Sequence, residues 1–348
     1  MISRREIDID TIIVRANNRS DCAHGCRYCP IHRKRSMIDR GRYADFVHRV
    51  REWLERNSSR AQLYHALGYH DDYDQEDLDL LRGLNGATAV DGITLGGLTP
   101  REEPELRDWL QMLRSYGLKT VHATFAGVDS VHDHWNGRTG NFSFLMRTLK
   151  MAGEANLDLG QRILVSTSTI PSLDRLLDQL EALPPHPGDW RYAMPFFYQT
   201  RRQKHQTEVE ADRIDERARD VLPARVRALF CSTDEPENLS EREWIRLTRD
   251  RTDPVSRVAL VVRLTAQNMD ALERLTVDEI IADLETRTRQ AYESIPPFSE
   301  LRERYGSSSG TLIYAIARCL EMKWLDRYRD ENPEVVFDQS LTHLWFGA

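Results

Sequence analysis

The sequence reads Cys22-Ala23-His24-Gly25-Cys26-Arg27-Tyr28-Cys29-Pro30 in the loop after its first strand-like run, residues 9–14. Three of the five cysteines of the chain lie in this stretch. Thiolates are soft ligands suited to iron–sulfur clusters, and closely spaced cysteines on one loop can hold three corners of one cluster. The motif has no fourth cysteine, so a cluster held here keeps one iron open for a small molecule.

Strand-like runs alternate with helical segments over the first 200 residues. Six strands are predicted, at residues 9–14, 62–67, 92–95, 120–125, 163–169 and 191–197. The segments between them carry apolar residues at spacings of three and four, which is the pattern of a helix packed on a sheet. This alternation is typical of parallel α/β architecture, and six units predict a partial (β/α)6 TIM-like barrel. Catalytic residues in such a fold lie at the carboxyl ends of the strands.

The pattern changes beyond residue 200. Residues 201–348 are predicted to be mostly helical, apart from one strand-like run at 258–264. We therefore expect two parts, a barrel core at residues 1–200 and a C-terminal extension at 201–348 that packs on the barrel as a cap.

Composition narrows the class of protein. Of the 348 residues, 40% are hydrophobic and 30% charged, and the chain lacks both a membrane-spanning apolar stretch and a signal peptide. A cytoplasmic protein without a membrane partner is expected. The net charge of −7 gives no reason to expect nucleic acid as a partner. The odd number of clustered cysteines indicates a metal site and argues against a disulfide scaffold.

The spacing Cys-x3-Cys-x2-Cys, with Tyr28 before the third cysteine, resembles the signature of the radical S-adenosylmethionine (radical SAM) superfamily. The resemblance implies that Cys22, Cys26 and Cys29 hold a [4Fe-4S] cluster whose open iron chelates SAM. It also implies reductive cleavage of SAM to methionine and a 5′-deoxyadenosyl radical, which abstracts hydrogen from a substrate. An electron donor such as flavodoxin or ferredoxin is then an expected partner, and Tyr28 is expected beside the cofactor.

The resemblance covers about residues 7–200 and implies further contacts to SAM. Polar residues at the ends of strands four and five hold SAM in the family, and Thr124, Ser166 and Ser168 are the matching candidates. The alternative is that they are ordinary strand hydroxyls. The Gly-Gly-Glu element of the family is partly matched by Gly68 and a displaced acid, Asp71, so either Asp71 or a backbone carbonyl is expected to meet the amino group of SAM.

Polar side chains crowd the segment after strand four, where the substrate of such an enzyme should lie. We expect His122 and Arg138 to bind substrate, because a guanidinium group can clamp a carboxylate in bidentate geometry. Loop salt bridges are the alternative for every member of this group, which also includes Asp129, His132, Asp133, His134 and Asn136.

Two cysteines lie outside the motif. Cys319 is in an apolar helical run and is expected in the core. Cys231 lies in a less regular stretch, and we predict that it returns a hydrogen atom to the substrate radical; a buried structural thiol is the alternative.

Because the sequence begins almost directly at strand one, we expect no N-terminal peptide-recognition domain. This favours a small substrate, such as a sugar, nucleoside or aminoglycoside-like intermediate of natural-product biosynthesis. One alternative is a radical SAM maturase that modifies peptides. Another is a non-catalytic zinc or iron–sulfur protein, in which His32 would complete a four-ligand zinc site with the three cysteines.

Overall fold

The structure is a computed structural model. It describes residues 7–16, 22–29, 38–68, 70–86, 88–196, 205–230, 238–247, 256–313 and 316–333.

Within these ranges, seven parallel strands form two sheets. One has the order β2-β1-β8 and the other β3-β4-β5-β6. Their bounds are β1 Ile7–Ala16, β2 Gln62–Ala66, β3 Gly92–Thr94, β4 Thr120–Phe125, β5 Asp158–Val165, β6 Trp190–Pro195 and β8 Ser256–Leu264. A small antiparallel pair, β7 Leu239–Ser240 and β9 Leu312–Ile313, lies in the extension.

The helices follow the strands and fill the C-terminal part. They are α1 Arg40–Arg56, α2 Gln75–Asn85, α3 Glu103–Ser115, α4 Asp129–Asn136, α5 Asn141–Glu154, α6 Leu173–Glu181, α7 Gln206–Ala211, α8 Ala218–Val221, α9 Ala224–Phe230, α10 Glu241–Leu247, α11 Met269–Glu273, α12 Val277–Ser294, α13 Phe298–Tyr305 and α14 Ile316–Glu331, with a 3-10 helix at Ile170–Ser172. Within the described ranges, none of these helices has the length and apolar character to cross a membrane.

Alternation along each strand separates a helix-facing side from a side that faces the barrel lumen. The main core is the hydrophobic cluster between the strands and the helices packed on them. In β1, Ile12, Val14 and Ala16 are buried in this core, together with Tyr43 and the other apolar residues of α1. The intervening residues of β1 therefore point into the lumen. The apolar faces of the helices cover the outside of the sheets and leave the carboxyl ends of the strands for the site.

The partial α/β barrel with a helical extension is confirmed, with two differences in its strands. The fifth strand, predicted at residues 163–169, instead spans Asp158–Val165. Polar residues of β5 face the lumen, and they interrupt the apolar run on which the prediction relied. The second difference is that β8, from the extension, pairs in parallel with β1 and adds a seventh strand. A division at residue 200 stays a prediction.

A buried carboxylate ties the extension together. The Glu241 side chain is fully buried and accepts hydrogen bonds from Lys323 Nζ at 2.7 Å, from the Trp324 indole at 2.9 Å and from the Ser307 hydroxyl at 2.7 Å. Burial opposes ionisation, but the hydrogen bond and charge of Lys323 outweigh it and lower the pKa of the Glu241 carboxyl. The Glu241 carboxylate thus joins α10 to α14 and to the loop after α13.

Candidate functional site

The three motif cysteines lie on one loop at the carboxyl end of β1. Cys22, Cys26 and Cys29 are half-buried, and none forms a disulfide. The backbone N–H of His24 donates to Cys22 Sγ at 3.4 Å, and the N–H of Cys29 donates to the carbonyl of Cys26 at 3.1 Å. The sequence thus folds locally into a tight turn that presents all three sulfurs from a short stretch of backbone.

Backbone hydrogen bonds fix this loop against two other elements. The N–H groups of Gly25 and Arg27 donate to the carbonyls of Asn136 and Trp135, at 3.0 and 2.9 Å. These carbonyls lie at the end of α4, where they have no partner within the helix. On the other side, Ala23 N–H donates to the Gly97 carbonyl at 3.2 Å, in the turn after β3. The position of the cysteines therefore depends on α4 and on β3.

The loop and the end of α4 approach each other closely at two glycines. Gly137 caps α4 with φ +63°, in the left-handed region that favours glycine. A Cβ at Gly137 would lie 2.4 Å from the Gly25 carbonyl oxygen, so no side chain fits there. Gly137 thus allows both the helix end and the contact with the cysteine loop.

Asn136 joins the cysteine loop to α4 through its side chain. Oδ1 accepts a hydrogen bond from the Tyr28 hydroxyl at 3.1 Å and lies 3.5 Å from Cys26 Sγ. Nδ2 donates to the carbonyl of His132 at 3.0 Å, one turn back in the helix. The residue is buried, so both ends of its amide are satisfied by protein groups.

His132 connects α4 to the end of β4 and is completely buried. Its Nδ1 accepts from Ala126 N–H at 3.1 Å, so a neutral ring carries its proton on Nε2. Asn141 lies 2.9 Å from Nε2, and its Oδ1 becomes the acceptor when the amide is turned by 180°. Burial, together with the nearby His24, lowers the pKa of His132 to about 3, so the ring is neutral at physiological pH.

His24 fixes the loop from the opposite side. It is buried, and its Nδ1 accepts a hydrogen bond from Gly97 N–H at 3.1 Å. With the Ala23–Gly97 bond described above, this makes a two-bond connection between the loop and the turn after β3.

An ion-pair network covers the outer side of the loop. Arg27 donates to Glu208 Oε2 at 2.7 Å, and His134 Nε2 lies 2.6 Å from Glu208 Oε1. Burial opposes ionisation of Glu208, but hydrogen bonds from His134 and Arg27 outweigh it and lower the pKa of the carboxyl. Since Glu208 belongs to α7, this network places the extension over the cysteine loop.

Tyr28 contacts an apolar cluster at the top of the lumen. Its ring stacks on Phe196 with centroids 5.7 Å apart, and Phe196 contacts Trp135 at 4.8 Å. Leu164 and Met194 complete the cluster from β5 and β6. Through Tyr28, this apolar cluster lies next to the cysteine loop.

The predicted SAM contacts near β2, β3 and β4 lie at the carboxyl ends of these strands. Gly68 lies two residues after the end of β2 and is half-buried. Asp71 Oδ2 accepts from Thr94 N–H at 2.7 Å and Asp71 Oδ1 from the Tyr73 hydroxyl at 3.0 Å. Its carboxylate thus ties the segment after β2 to β3. Thr124 is half-buried and faces the lumen, since Val121, Ala123 and their neighbours on the other face belong to the main core.

The two serines after β5 are engaged with other protein groups. Ser166 is fully buried in a turn, where its N–H donates to Thr169 Oγ1 at 2.8 Å. The Ser168 hydroxyl donates to Asp212 at 2.6 Å and accepts from the Trp135 indole at 3.0 Å. Both hydroxyls hold the end of β5 in place, and their role toward SAM stays a prediction.

The two predicted substrate residues lie in different surroundings. His122 is on the lumen face of β4, 5.2 Å from the Trp190 ring, and its Nδ1 is buried without a hydrogen-bond partner. Arg138 donates to the Leu98 carbonyl at 3.1 Å, and its guanidinium carbon lies 5.0 Å from the Phe144 ring centroid. Burial lowers the pKa of Arg138, opposed by the charges of Asp133 and Cys22.

Most of the other polar residues after β4 have structural partners. Asp133 accepts from the N–H groups of Gly140 and Phe142, at 2.6 and 2.8 Å, and so begins α5. Asp129 pairs with Arg175 at 2.8 Å on the surface. Cys231, the predicted hydrogen donor, and His32, the fourth ligand of the zinc alternative, lie outside the described residues. So does the side chain of Cys319.

The residues present fit an iron–sulfur cluster. Three half-buried thiols from one loop supply soft ligands, and a backbone N–H already points at one of the sulfurs. Asn136, His132 and His24 hold the loop, a role that was not predicted for any of them; His132 and Asn136 were expected among the polar residues near the substrate. Gly137 is the sequence signal that could have indicated this arrangement, because a glycine at this position ends α4 directly after Asn136.

A comparison with protein-family models agrees with the cysteine motif. Residues 20–180 match the family model of the Radical SAM superfamily. No curated protein matches the chain.

The solved structures that match the chain include three, of which two are radical SAM enzymes by their own descriptions. SuiB from Streptococcus suis, bound to its precursor peptide SuiA, is 12% identical with a TM-score of 0.44, over 73% of this chain and 49% of that chain. Coproporphyrinogen III oxidase (HemN) from Escherichia coli, described as a radical SAM enzyme, is 13% identical with a TM-score of 0.41, over 93% and 90%. The radical SAM methyltransferase TsrM from Kitasatospora setae is 10% identical with a TM-score of 0.36, over 91% and 52%. The chain spans about half the length of the SuiB chains.

Proposed function

Residues 20–180 belong to the radical SAM superfamily, and from that premise we propose that the chain abstracts hydrogen from a small organic molecule. A sugar, nucleoside or aminoglycoside-like intermediate of natural-product biosynthesis is the proposed class. Enzymes of this superfamily use a [4Fe-4S] cluster and SAM as cofactors. When bound, they supply reductive cleavage of SAM and a 5′-deoxyadenosyl radical.

One observation carries the proposal: three half-buried thiols lie on a loop whose backbone is fixed at both ends. Cys22, Cys26 and Cys29 would hold the cluster. Hydrogen bonds to Gly97 on one side and to Trp135 on the other keep the loop in place. A preorganised loop needs little rearrangement when it takes up its metal.

Other residues of the chain would bind and orient SAM. Gly68 leaves room for a close approach to the backbone after β2. Thr124 offers a hydroxyl on the lumen face. Asp71 has both carboxylate oxygens engaged by Thr94 and Tyr73, so the backbone after β2 is the better candidate for meeting the SAM amino group.

The substrate would lie in the lumen, where His122 offers a buried nitrogen without a partner. Arg138 is held against Leu98 and Phe144, which favours a role in supporting the turn after β3. Cys231 stays the proposed hydrogen donor, and a flavodoxin or ferredoxin the proposed source of electrons.

The experiment that tests the substrate class compares fractions of an extract from the source cells. Reduced, cluster-loaded protein is incubated with SAM, and formation of 5′-deoxyadenosine is followed. We expect stimulation by the fraction that passes a membrane retaining peptides, and this stimulation should survive treatment of the extract with protease. Stimulation that protease destroys would instead favour a peptide-modifying enzyme.

A further inference from the structure

We propose that the barrel lumen contains an anion-binding subsite at Arg162 of β5, with Arg263 of β8 as a second cationic position on the other sheet, and that the substrate carries a carboxylate or phosphate group. This inference rests on the proposed function and narrows its substrate class.

The strand register places Arg162 on the lumen face. In β5, Leu159, Ile163 and Val165 are buried in the main core on the helix side, so Arg162 points the other way. It pairs in register with Thr124 of β4 and Tyr192 of β6, which share its face. Arg162 thus lies among lumen residues of three adjacent strands.

Arg162 has no acidic partner among the described residues. Its guanidinium carbon lies 5.9 Å from the Tyr192 ring centroid, and its Nε is buried without a hydrogen-bond partner. Burial lowers the pKa of the His122 ring, and the nearby positive charge of Arg162 lowers it further. The side chain is half-buried, and a buried guanidinium nitrogen without an acceptor is costly, so an incoming anion that accepts from it would remove this cost.

A second cationic position lies on the other sheet. Leu260, Val262 and Leu264 of β8 face the main core, so Arg263 points into the lumen. It is the register partner of Arg15 in β1, whose side chain shares this face. One terminal nitrogen of Arg263 is buried and makes no hydrogen bond. Both sheets therefore present arginine to the lumen.

Next to Arg162, the lumen face of β5 carries Gly160 and Leu164, which cannot balance its charge. The same face carries Asp158, but this residue lies at the opposite, amino end of the strand and pairs with His186. The whole chain has a net charge of −7, so the positive charge of the lumen arginines is a local feature. A cleft lined by one sign of charge concentrates ligands of the opposite sign.

An aromatic floor closes the space below Arg162. A Cβ at Gly160, one lumen position toward the amino end of β5, would lie 2.2 Å from His122 Nδ1 and 2.4 Å from the Trp190 ring. These two rings therefore fill the space over Gly160, directly below Arg162 on the lumen face. Trp190 stacks on Tyr192 at 5.4 Å, which continues the apolar surface upward. The anionic group would rest on this floor and meet Arg162 from the open end.

The chemistry selects among the proposed substrates. Guanidinium groups bind carboxylate and phosphate with paired hydrogen bonds. A phosphorylated or carboxylated sugar or nucleoside fits this lumen. A polycationic aminoglycoside does not, because its ammonium groups would meet arginine side chains of the same charge.

The test measures binding of inorganic phosphate and of succinate to the cluster-loaded enzyme by equilibrium dialysis at constant ionic strength, with and without saturating SAM. We expect saturable binding that Arg162→Gln and Arg263→Gln each weaken about tenfold or more. Arg162→Lys should retain part of the affinity. Arg175→Gln, which changes an exposed arginine paired with Asp129, should leave binding unchanged.

Two results would overturn the subsite. One is phosphate and succinate binding that is absent or equal in wild type and the two glutamine variants. The other is loss of anion binding once SAM is bound, which would assign the arginines to the carboxylate of SAM. Because dialysis needs no turnover, anion binding in a protein that fails to cleave SAM would contradict the proposed function and leave the subsite standing.

Discussion

The hydroxyl of Tyr28 donates a 3.1 Å hydrogen bond to Oδ1 of Asn136, and this joins the cysteine loop to the end of α4. The same oxygen lies 3.5 Å from Cys26 Sγ. The aromatic residue before the third cysteine is therefore part of the support of the loop, in addition to any contact with a cofactor. Substitutions at the end of α4 should therefore change the positions of the cysteines.

Asn136→Ala should destabilise the protein more than Tyr28→Phe. The alanine variant loses the acceptor for Tyr28 and the donor to the His132 carbonyl, which costs about 2 kcal/mol or more in a buried site. The phenylalanine variant loses one hydrogen bond, at about 1 kcal/mol. Urea denaturation measures both, and iron content after reconstitution should fall in the same order. Equal effects would argue against Asn136 as the connecting residue.

Gly137→Ala should impair cluster assembly more than Gly140→Ala. Both glycines have positive φ, +63° and +76°, so both variants carry strain of about 1–2 kcal/mol. A Cβ at Gly140 meets nothing within 4 Å, whereas one at Gly137 collides with the Gly25 backbone. Iron and sulfide analysis of the two reconstituted variants separates the collision from the strain. The same iron content in both would show that the contact with Gly25 is dispensable.

His132 should make the protein less stable in acid. Its pKa is about 3 in the folded state and about 6.5 when unfolded, so between these values the unfolded chain binds the extra proton. The stabilising contribution is complete above about pH 6.5 and falls by roughly 1.4 kcal/mol for each pH unit below it, down to about pH 3. Denaturation of the apoprotein from neutral pH to pH 4.5 should show this slope. In His132→Gln the slope should be smaller; an unchanged slope would place its origin elsewhere.

Glu241→Gln should be among the most destabilising single changes in the extension. It removes the charge that compensates Lys323, whose side chain is only 16% exposed, and such a loss costs about 3–5 kcal/mol. Glu285→Gln is a matched control, because it breaks an exposed pair with Arg289 on α12 and should cost less than about 0.5 kcal/mol. Comparable midpoints for the two variants in thermal unfolding would refute the role of Glu241.

Local patterns predicted the parts of the fold that local residues determine. The cysteine motif and β4 were recognisable because Cys22, Cys26 and Cys29 are close in sequence, and because Val121, Ala123 and Phe125 alternate along the strand. The strand β5 was misplaced by several residues, since its lumen-facing residues include a glycine and an arginine that resemble a loop.

Long-range relationships could not be predicted from the sequence. The strand-like run at 258–264 was recognised, but its pairing with β1 depends on how the extension folds back. Likewise, Asn136 and Glu208 are ordinary polar residues on helices, and their link to the cysteine loop exists only after α4 and α7 have packed. Sequence patterns report periodicity, whereas these roles depend on which surfaces meet.

The most direct test of the account is cleavage of SAM by the anaerobically reconstituted, reduced protein, followed by mass spectrometry. We predict 5′-deoxyadenosine and methionine from wild type, with close to four irons and four sulfides per chain as in other [4Fe-4S] proteins. Cys22→Ala, Cys26→Ala and Cys29→Ala should each lose the cluster and the products. Stoichiometric zinc in place of iron, or release of S-adenosylhomocysteine alone from a cluster-loaded protein that binds SAM, would contradict the assignment.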